Sequence, residues 1–193
     1  MSGNKIHRYI ENPIDLQLIK LCEIVSNVLR KDKCITPNMI TTVGLMMGLI
    51  SIYFIMKDMY ILGFIFFWIC YWFDCLDGYY ARKYNMTSEF GDYYDHFRDI
   101  VINGLVIIII YSKIKDENIR RLYLFSVIVF GFLLCCHFGC QEKNSFNKSN
   151  NGCLEIFTRL CYDKENIHNT KHFGNGTFIL IISIFILLLK IKN

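Results

Sequence analysis

The sequence predicts an all-α fold, a polytopic membrane helical bundle of five transmembrane helices with a sixth candidate, entered through an N-terminal interfacial amphipathic helix. Three observations carry that expectation. Apolar residues make up 53% of the 193-residue chain and sixteen residues are Phe, with mean hydropathy +0.31, a composition of the membrane class. Several stretches carry no charge over a length that suits the bilayer. The segment before the first of them mixes apolar and charged residues at helical spacing.

That segment, PIDLQLIKLCEIVSNVLRK, places Ile14, Leu18, Leu21, Val25 and Val28 at alternating steps of four and three. It reads as a helix lying in the membrane interface. Residues 34–56 follow without a charge, long enough for a helix rising about 1.5 Å per residue to cross a core of about 30 Å. The further spans are expected at 59–73, 100–112, 122–136 with an extension to 141, and 173–189. The sixth candidate, residues 151–162, contains Glu155 and Arg159 and suits a surface helix better. A polar loop is expected from 141 to 152. Residues 1–13 lack the apolar core of a cleavable signal peptide, so the first span is expected to be retained. The chain thus divides into an interfacial region, 1–33, and a membrane domain, 34–193.

Arg30, Lys31 and Lys33 before the first span, and Arg82 and Lys83 after the second, predict a cytosolic face for those ends. Lys113, Lys115, Arg120 and Arg121 then fall on the opposite side, against the rule. These flanks and anionic lipid headgroups account for the net charge of +4, and no nucleic-acid partner is expected. Nine cysteines raise the question of a metal site at Cys135, Cys136, His137 and Cys140. The run ends an apolar span and lacks a second ligand pair, so structural cysteines are expected.

Residues 64–112 pose the sharpest question, because Asp74, Asp77, Asp95 and Asp99 interrupt stretches built for lipid. Each such charge costs about 2.5 to 3.5 kcal/mol at a helix centre, on the order of 10 kcal/mol for four left bare. Spacings of three and four put each pair on one helical face. Clustered carboxylates suit hard divalent cations, Mg2+ or Mn2+, and two ions would resolve the charge problem. Gly78 and Ala81 leave a slot beside the first pair, Arg82 offers a fork of donors to phosphate, Ser88 adds a hydroxyl, and Gly91 permits close backbone approach. Together they suggest chemistry on a nucleotide pyrophosphate.

DCLDGYYARKYNMTSEFGDYYDHFRD resembles the signature of the CDP-alcohol phosphotransferase family, D-x-x-D-G-x-x-A-R-x8-G-x-x-x-D-x-x-x-D, at every fixed position. Pro37, Asn38 and Thr41 are similar to the P-N-x-x-T entry into that family's first membrane helix. The resemblance covers residues 35–112 and rests on hydrophobicity beyond about 120. It implies an enzyme of phospholipid synthesis that moves a substituted phosphoryl group from a CDP-linked donor to an alcohol and releases CMP. It also implies a membrane bundle, usually six-spanning and often a homodimer, whose polar cavity opens to the cytosol. By position, Asp74, Asp77, Asp95 and Asp99 would hold two metal ions, and Asp99 would be the general base. Gly78, Ala81, Arg82, Ser88 and Gly91 would contact the CDP donor, with Asn38 and Thr41 near the nucleotide or simply starting the helix.

Around this set, Asp92, Glu89 and Arg98 are expected as solvated rim charges. Tyr71, Trp72, Tyr79, Tyr80, Tyr84, Tyr93 and Tyr94 are expected in an interfacial aromatic belt. His96 resembles the D-H-x-x-D of the choline and ethanolamine phosphotransferases and leans the substrate reading to CDP-choline or CDP-ethanolamine with diacylglycerol. The short chain leans to a CDP-diacylglycerol-dependent phosphatidyltransferase with inositol, glycerol phosphate or serine as acceptor. A cation transporter or channel would explain the intramembrane charges but not the glycines and Arg82 at family spacing.

Overall fold

A computed structural model describes residues 3–4, 11–30, 34–144, 155–160 and 170–192. The described residues are helical throughout, in the order α1 Pro13–Leu29, α2 Pro37–Met56, α3 Tyr60–Lys83, α4 Glu89–Lys113, α5 Glu117–Asn144 and α6 Glu155–Leu160, then a short 3-10 turn Lys171–Phe173 and α7 Asn175–Lys192. Polar caps set the starts of three of these helices. Asn12 Oδ1 accepts from the Ile14 amide at 2.9 Å ahead of Pro13, Thr36 caps α2 ahead of Pro37, and Ser88 Oγ accepts from the Gly91 amide at 3.1 Å.

Small residues on α2 let the bundle close. A Cβ at Gly48 would lie 2.9 Å from the Ile102 side chain of α4, and one at Gly44 would lie 3.1 Å from Arg98 Nη1. Gly44 and Gly48 form a small-xxx-small step that fits two residues one turn apart on α4. Ser51 Oγ donates to the Gly63 carbonyl at 2.7 Å and ties α2 to α3. Below these contacts Ile55, Phe67, Ile102, Val106, Ile110, Ile182 and Ile186 form one apolar core from α2, α3, α4 and α7. At the far end Lys113 Nζ donates to Asp58 at 2.5 Å and to the Met56 carbonyl at 3.1 Å, tying the end of α4 to the α2–α3 turn.

Three helices are long and apolar enough to cross a membrane by length and composition: Pro37–Met56, Tyr60–Lys83 and Glu117–Gln141. The apolar helix Asn175–Ile191 is shorter. α4 has the length, but Asp95, Arg98 and Asp99 interrupt its hydropathy, so the expected five spans are not reached on this measure. The expected 141–152 loop begins later, since α5 continues to Asn144, and residues 145–152 lie outside the described set. Of the sixth candidate only the six-residue α6 is described.

Two sequence expectations change. Leu21, Ile24 and Val28 of α1 are exposed, whereas Asp15, Cys22 and Ser26 are buried against the bundle. The helix therefore packs Ile19, Val25 and Leu29 against the bundle beside a polar seam and turns the rest of its apolar surface outward. The aromatic belt is reduced for the same reason, because α1 covers that side of α3. Tyr71, Tyr79 and Tyr80 are buried, and Tyr84 donates to the Ser26 carbonyl at 3.0 Å, while Tyr93 stays exposed.

Cys140 departs from the expectation of a packed, unbonded side chain. Cys135 and Cys136 are free, but Cys140 is disulfide-bonded. His137 Nδ1 faces the Thr170 hydroxyl at 3.3 Å and its Nε2 faces the Gln141 amide at 3.1 Å, so both ring nitrogens have side-chain partners.

Candidate functional site

α3 ends and α4 begins at the same end of the bundle, because residues 84–88 join them as a short antiparallel connection. This connection converts two pairs distant in sequence into one cluster. Asp74, Asp95 and Asp99 each offer an oxygen, and the three oxygens lie within 4.8 Å of one another. Asp77 stands apart from that trio. It is buried, with the Thr41 hydroxyl of α2 beside it and its Oδ2 without a hydrogen-bond partner.

Arg98 sits at the centre of the carboxylates, correcting the expectation of a solvated rim charge. Its residue is 1% exposed. Nη2 donates to Asp74 Oδ1 and, at 2.6 Å, to Asp99 Oδ1, and lies 2.9 Å from Asp95 Oδ1. Nη1 lies 3.5 Å from Asp77 Oδ2. The seat is tertiary: Gly44 of α2 leaves the space that Nη1 fills. Asp92 and Glu89 are exposed, as expected of rim charges.

The remaining site residues gather on one open cleft of about 120 Å³. α2 contributes Pro37, Asn38 and Thr41, α3 contributes Asp77, Gly78, Ala81 and Arg82, and the α4 start contributes Ser88, Gly91, Asp92 and Asp95. All seven residues singled out for a nucleotide donor therefore share one surface. The glycines are needed for space: a Cβ at Gly91 would lie 3.0 Å from Asn38 Oδ1 and from Ser88 Oγ, and one at Gly78 would lie 3.0 Å from Arg82 Nη1. Arg82 Nε donates to the Gly3 carbonyl at 2.9 Å, which fixes the plane of the guanidinium.

Asp74 and Asp99 border a second, smaller hollow, lined also by Asn103 of α4 and Asn175 of α7. Neither asparagine belongs to the aspartate signature, and only the packing of α7 against α3 and α4 brings Asn175 here. His96 is not part of either hollow. It is exposed, and its Nδ1 faces the Asp92 carbonyl of its own helix at 2.7 Å.

The donor chemistry suits a divalent ion, since the cluster offers carboxylate oxygens alone, and Asp77 Oδ2 and Asp95 Oδ1 are buried without hydrogen-bond partners. A small, glycine-lined cleft beside such a cluster can hold a phosphate-bearing ligand against it.

Comparison with known proteins agrees with this arrangement. Residues 34–192 match the family model described as CDP-alcohol phosphatidyltransferase. A curated relative, the CDP-diacylglycerol–glycerol-3-phosphate 3-phosphatidyltransferase of Treponema pallidum, is 32% identical over 85 residues. That alignment covers 42% of this chain and 38% of the relative. No solved structure matches.

Proposed function

From the premise that this chain belongs to the CDP-alcohol phosphatidyltransferase family, and so is a transferase of phosphate-containing groups, we propose that it moves a phosphatidyl group from CDP-diacylglycerol to a small alcohol and releases CMP. The single observation that carries this reading is the cleft uniting Asn38, Thr41, Gly78, Ala81, Arg82, Ser88 and Gly91 beside the four aspartates. Asn38, Thr41 and the glycines make room for the nucleotide, and the Arg82 Nη groups bind its phosphate oxygens. The aspartates hold a divalent ion, Mg2+ or Mn2+, which when bound stabilises charge on the pyrophosphate and on the departing CMP.

Asp99 acts as general base. Its carboxylate borders the second hollow rather than the donor cleft, and there it takes the proton of an acceptor hydroxyl that reaches the donor phosphate. Asn103 and Asn175 orient that acceptor with amide donors and acceptors.

The CDP-diacylglycerol donor is preferred to the CDP-choline or CDP-ethanolamine donor that His96 suggested. The T. pallidum relative is named for a CDP-diacylglycerol reaction, and His96 lines neither hollow. Phe90, Tyr93, Phe97 and Ile100 form an exposed stripe on α4 next to the site, an apolar surface suited to acyl chains. In this reading α4 and α7 cross the bilayer with α2, α3 and α5, α1 lies in the interface, and the site faces the cytosol. The expected homodimer remains part of the proposal through the family resemblance alone.

The test is a donor and acceptor panel on purified protein, read as CMP release and labelled lipid. CDP-diacylglycerol with glycerol phosphate, inositol or serine should give product, and CDP-choline or CDP-ethanolamine with diacylglycerol should not. Product from the aminoalcohol donors alone would reverse the donor assignment.

A further inference from the structure

Among the described residues Arg98 is the one cation paired with all four aspartates, and the way it is bonded is informative. A guanidinium recognising a carboxylate offers two parallel N–H groups to two oxygens. Arg98 instead concentrates its contacts on Nη2, which reaches Asp74, Asp95 and Asp99 together. Nε and Nη1 are buried without a hydrogen-bond partner. The side chain thus works as a point charge placed where the three carboxylates converge, the position a divalent ion bound by the same oxygens would take. Its seat is built by the fold, since Gly44 on α2 is the residue whose missing side chain leaves room for Nη1, and Asp77 lies along the same edge.

We propose that Arg98 is a resident cation of the carboxylate cluster, holding it together before metal enters and competing with the divalent ion for the same oxygens. The inference rests on the metal-binding role given to the aspartates under the proposed function. It explains how four carboxylates fold into an apolar bundle without an ion, since an unpaired cluster would repel itself and pay for desolvation. It also assigns a cost to metal entry, because the ion must displace the Nη2 contacts, and a guanidinium hydrogen-bonded through Nη2 alone is easier to shift than one bonded through its full fork. Arg98 is in these terms a positioning residue that tunes metal affinity and not one that touches the donor.

The experiment is a titration of Mn2+ into purified, substrate-free protein in detergent, by calorimetry, alongside thermal unfolding with and without Mn2+. Arg98→Gln removes the charge while keeping a polar side chain, and Arg98→Lys keeps the charge. Arg98→Gln should bind Mn2+ at least tenfold more tightly than the wild type, unfold at lower temperature without metal, and gain more from Mn2+. Arg98→Lys should stay near the wild type. An Arg98→Gln protein that folds only when prepared with Mn2+ would also support the proposal, because the ion then replaces the guanidinium. Equal or weaker Mn2+ affinity in Arg98→Gln would overturn it while leaving the metal site intact. So would failure of Arg98→Gln to fold even with Mn2+. Absence of Mn2+ binding in every variant would remove the metal site of the proposed function itself.

Discussion

Tyr71 donates its phenolic hydrogen to Asp15 Oδ1 at 2.5 Å, joining α1 to α3 one turn before Asp74. Asp15 also accepts the Gly176 amide of α7, and a Cβ at Gly176 would collide with the same oxygen. A buried carboxyl therefore ties α1 to two helices of the bundle. Nearby, Asn12 Nδ2 donates to the Lys171 carbonyl at 2.8 Å and to Thr177 Oγ1 at 3.0 Å, a second tie between the same ends.

Burial pushes the Asp15 carboxyl up from 3.8 to about 6, opposed by the Tyr71 hydrogen bond, reinforced by the charge of Asp74 and opposed again by the Gly176 amide. The folded state then holds this proton more tightly than the unfolded chain. The resulting stability is fully present below the unfolded pKa and is lost as pH rises through about 6, a change of about 3 kcal/mol. Asp15→Asn keeps an acceptor for Tyr71 and removes the titration. Denaturation of the two proteins between pH 4 and pH 7 should show a decline with pH in the wild type that the variant lacks; parallel profiles would contradict the role given to Asp15.

Gly91 and Gly78 leave the space of the donor cleft, so a branched side chain at either position should fill it. Gly91→Val would press on Asn38 and Ser88. Donor affinity should fall at least tenfold, seen as a raised KM for the CDP donor, while Mn2+ binding to the aspartates stays within about threefold of wild type. A variant with unchanged KM would place the nucleotide elsewhere. Arg82→Ala should likewise act on donor binding, since it removes a phosphate contact and no base.

Orientation has a simple reporter in Cys34, which is exposed just before α2. A membrane-impermeant maleimide should label it in inverted vesicles and not in intact cells, placing the site on the cytosolic side. Cys75 lies inside the signature yet packs into the core instead of lining the donor cleft, so it should resist the reagent from both sides. Labelling of Cys34 only in intact cells would invert the topology.

The spacing of the aspartates and the slot residues were legible because each depends on helical periodicity within α3 or α4, and on one short turn between them. The cleft adds only the packing of α2, which Pro37, Asn38 and Thr41 already suggested. Arg98 was not legible. One residue before Asp99, it has the sequence context of a solvated charge, and only the Gly44–Gly48 face of α2 gives it a buried seat. Asp15 and Asn175 were missed for a related reason, as each gains its place from helices far away in the chain. The number of spans was less legible, since the carboxylates that build the site also break the hydropathy by which α4 would be recognised as one.

The most direct test of the account is release of CMP from CDP-diacylglycerol by the purified protein with an acceptor panel of glycerol phosphate, inositol and serine, in Mg2+ or Mn2+ and in excess chelator, for wild type and Asp99→Asn. The account predicts metal-dependent CMP release matched mole for mole by phospholipid in the wild type, no release in chelator, and a loss of at least a thousandfold in Asp99→Asn with Arg82-dependent donor binding preserved. Full turnover in chelator, or an active Asp99→Asn protein, would contradict it.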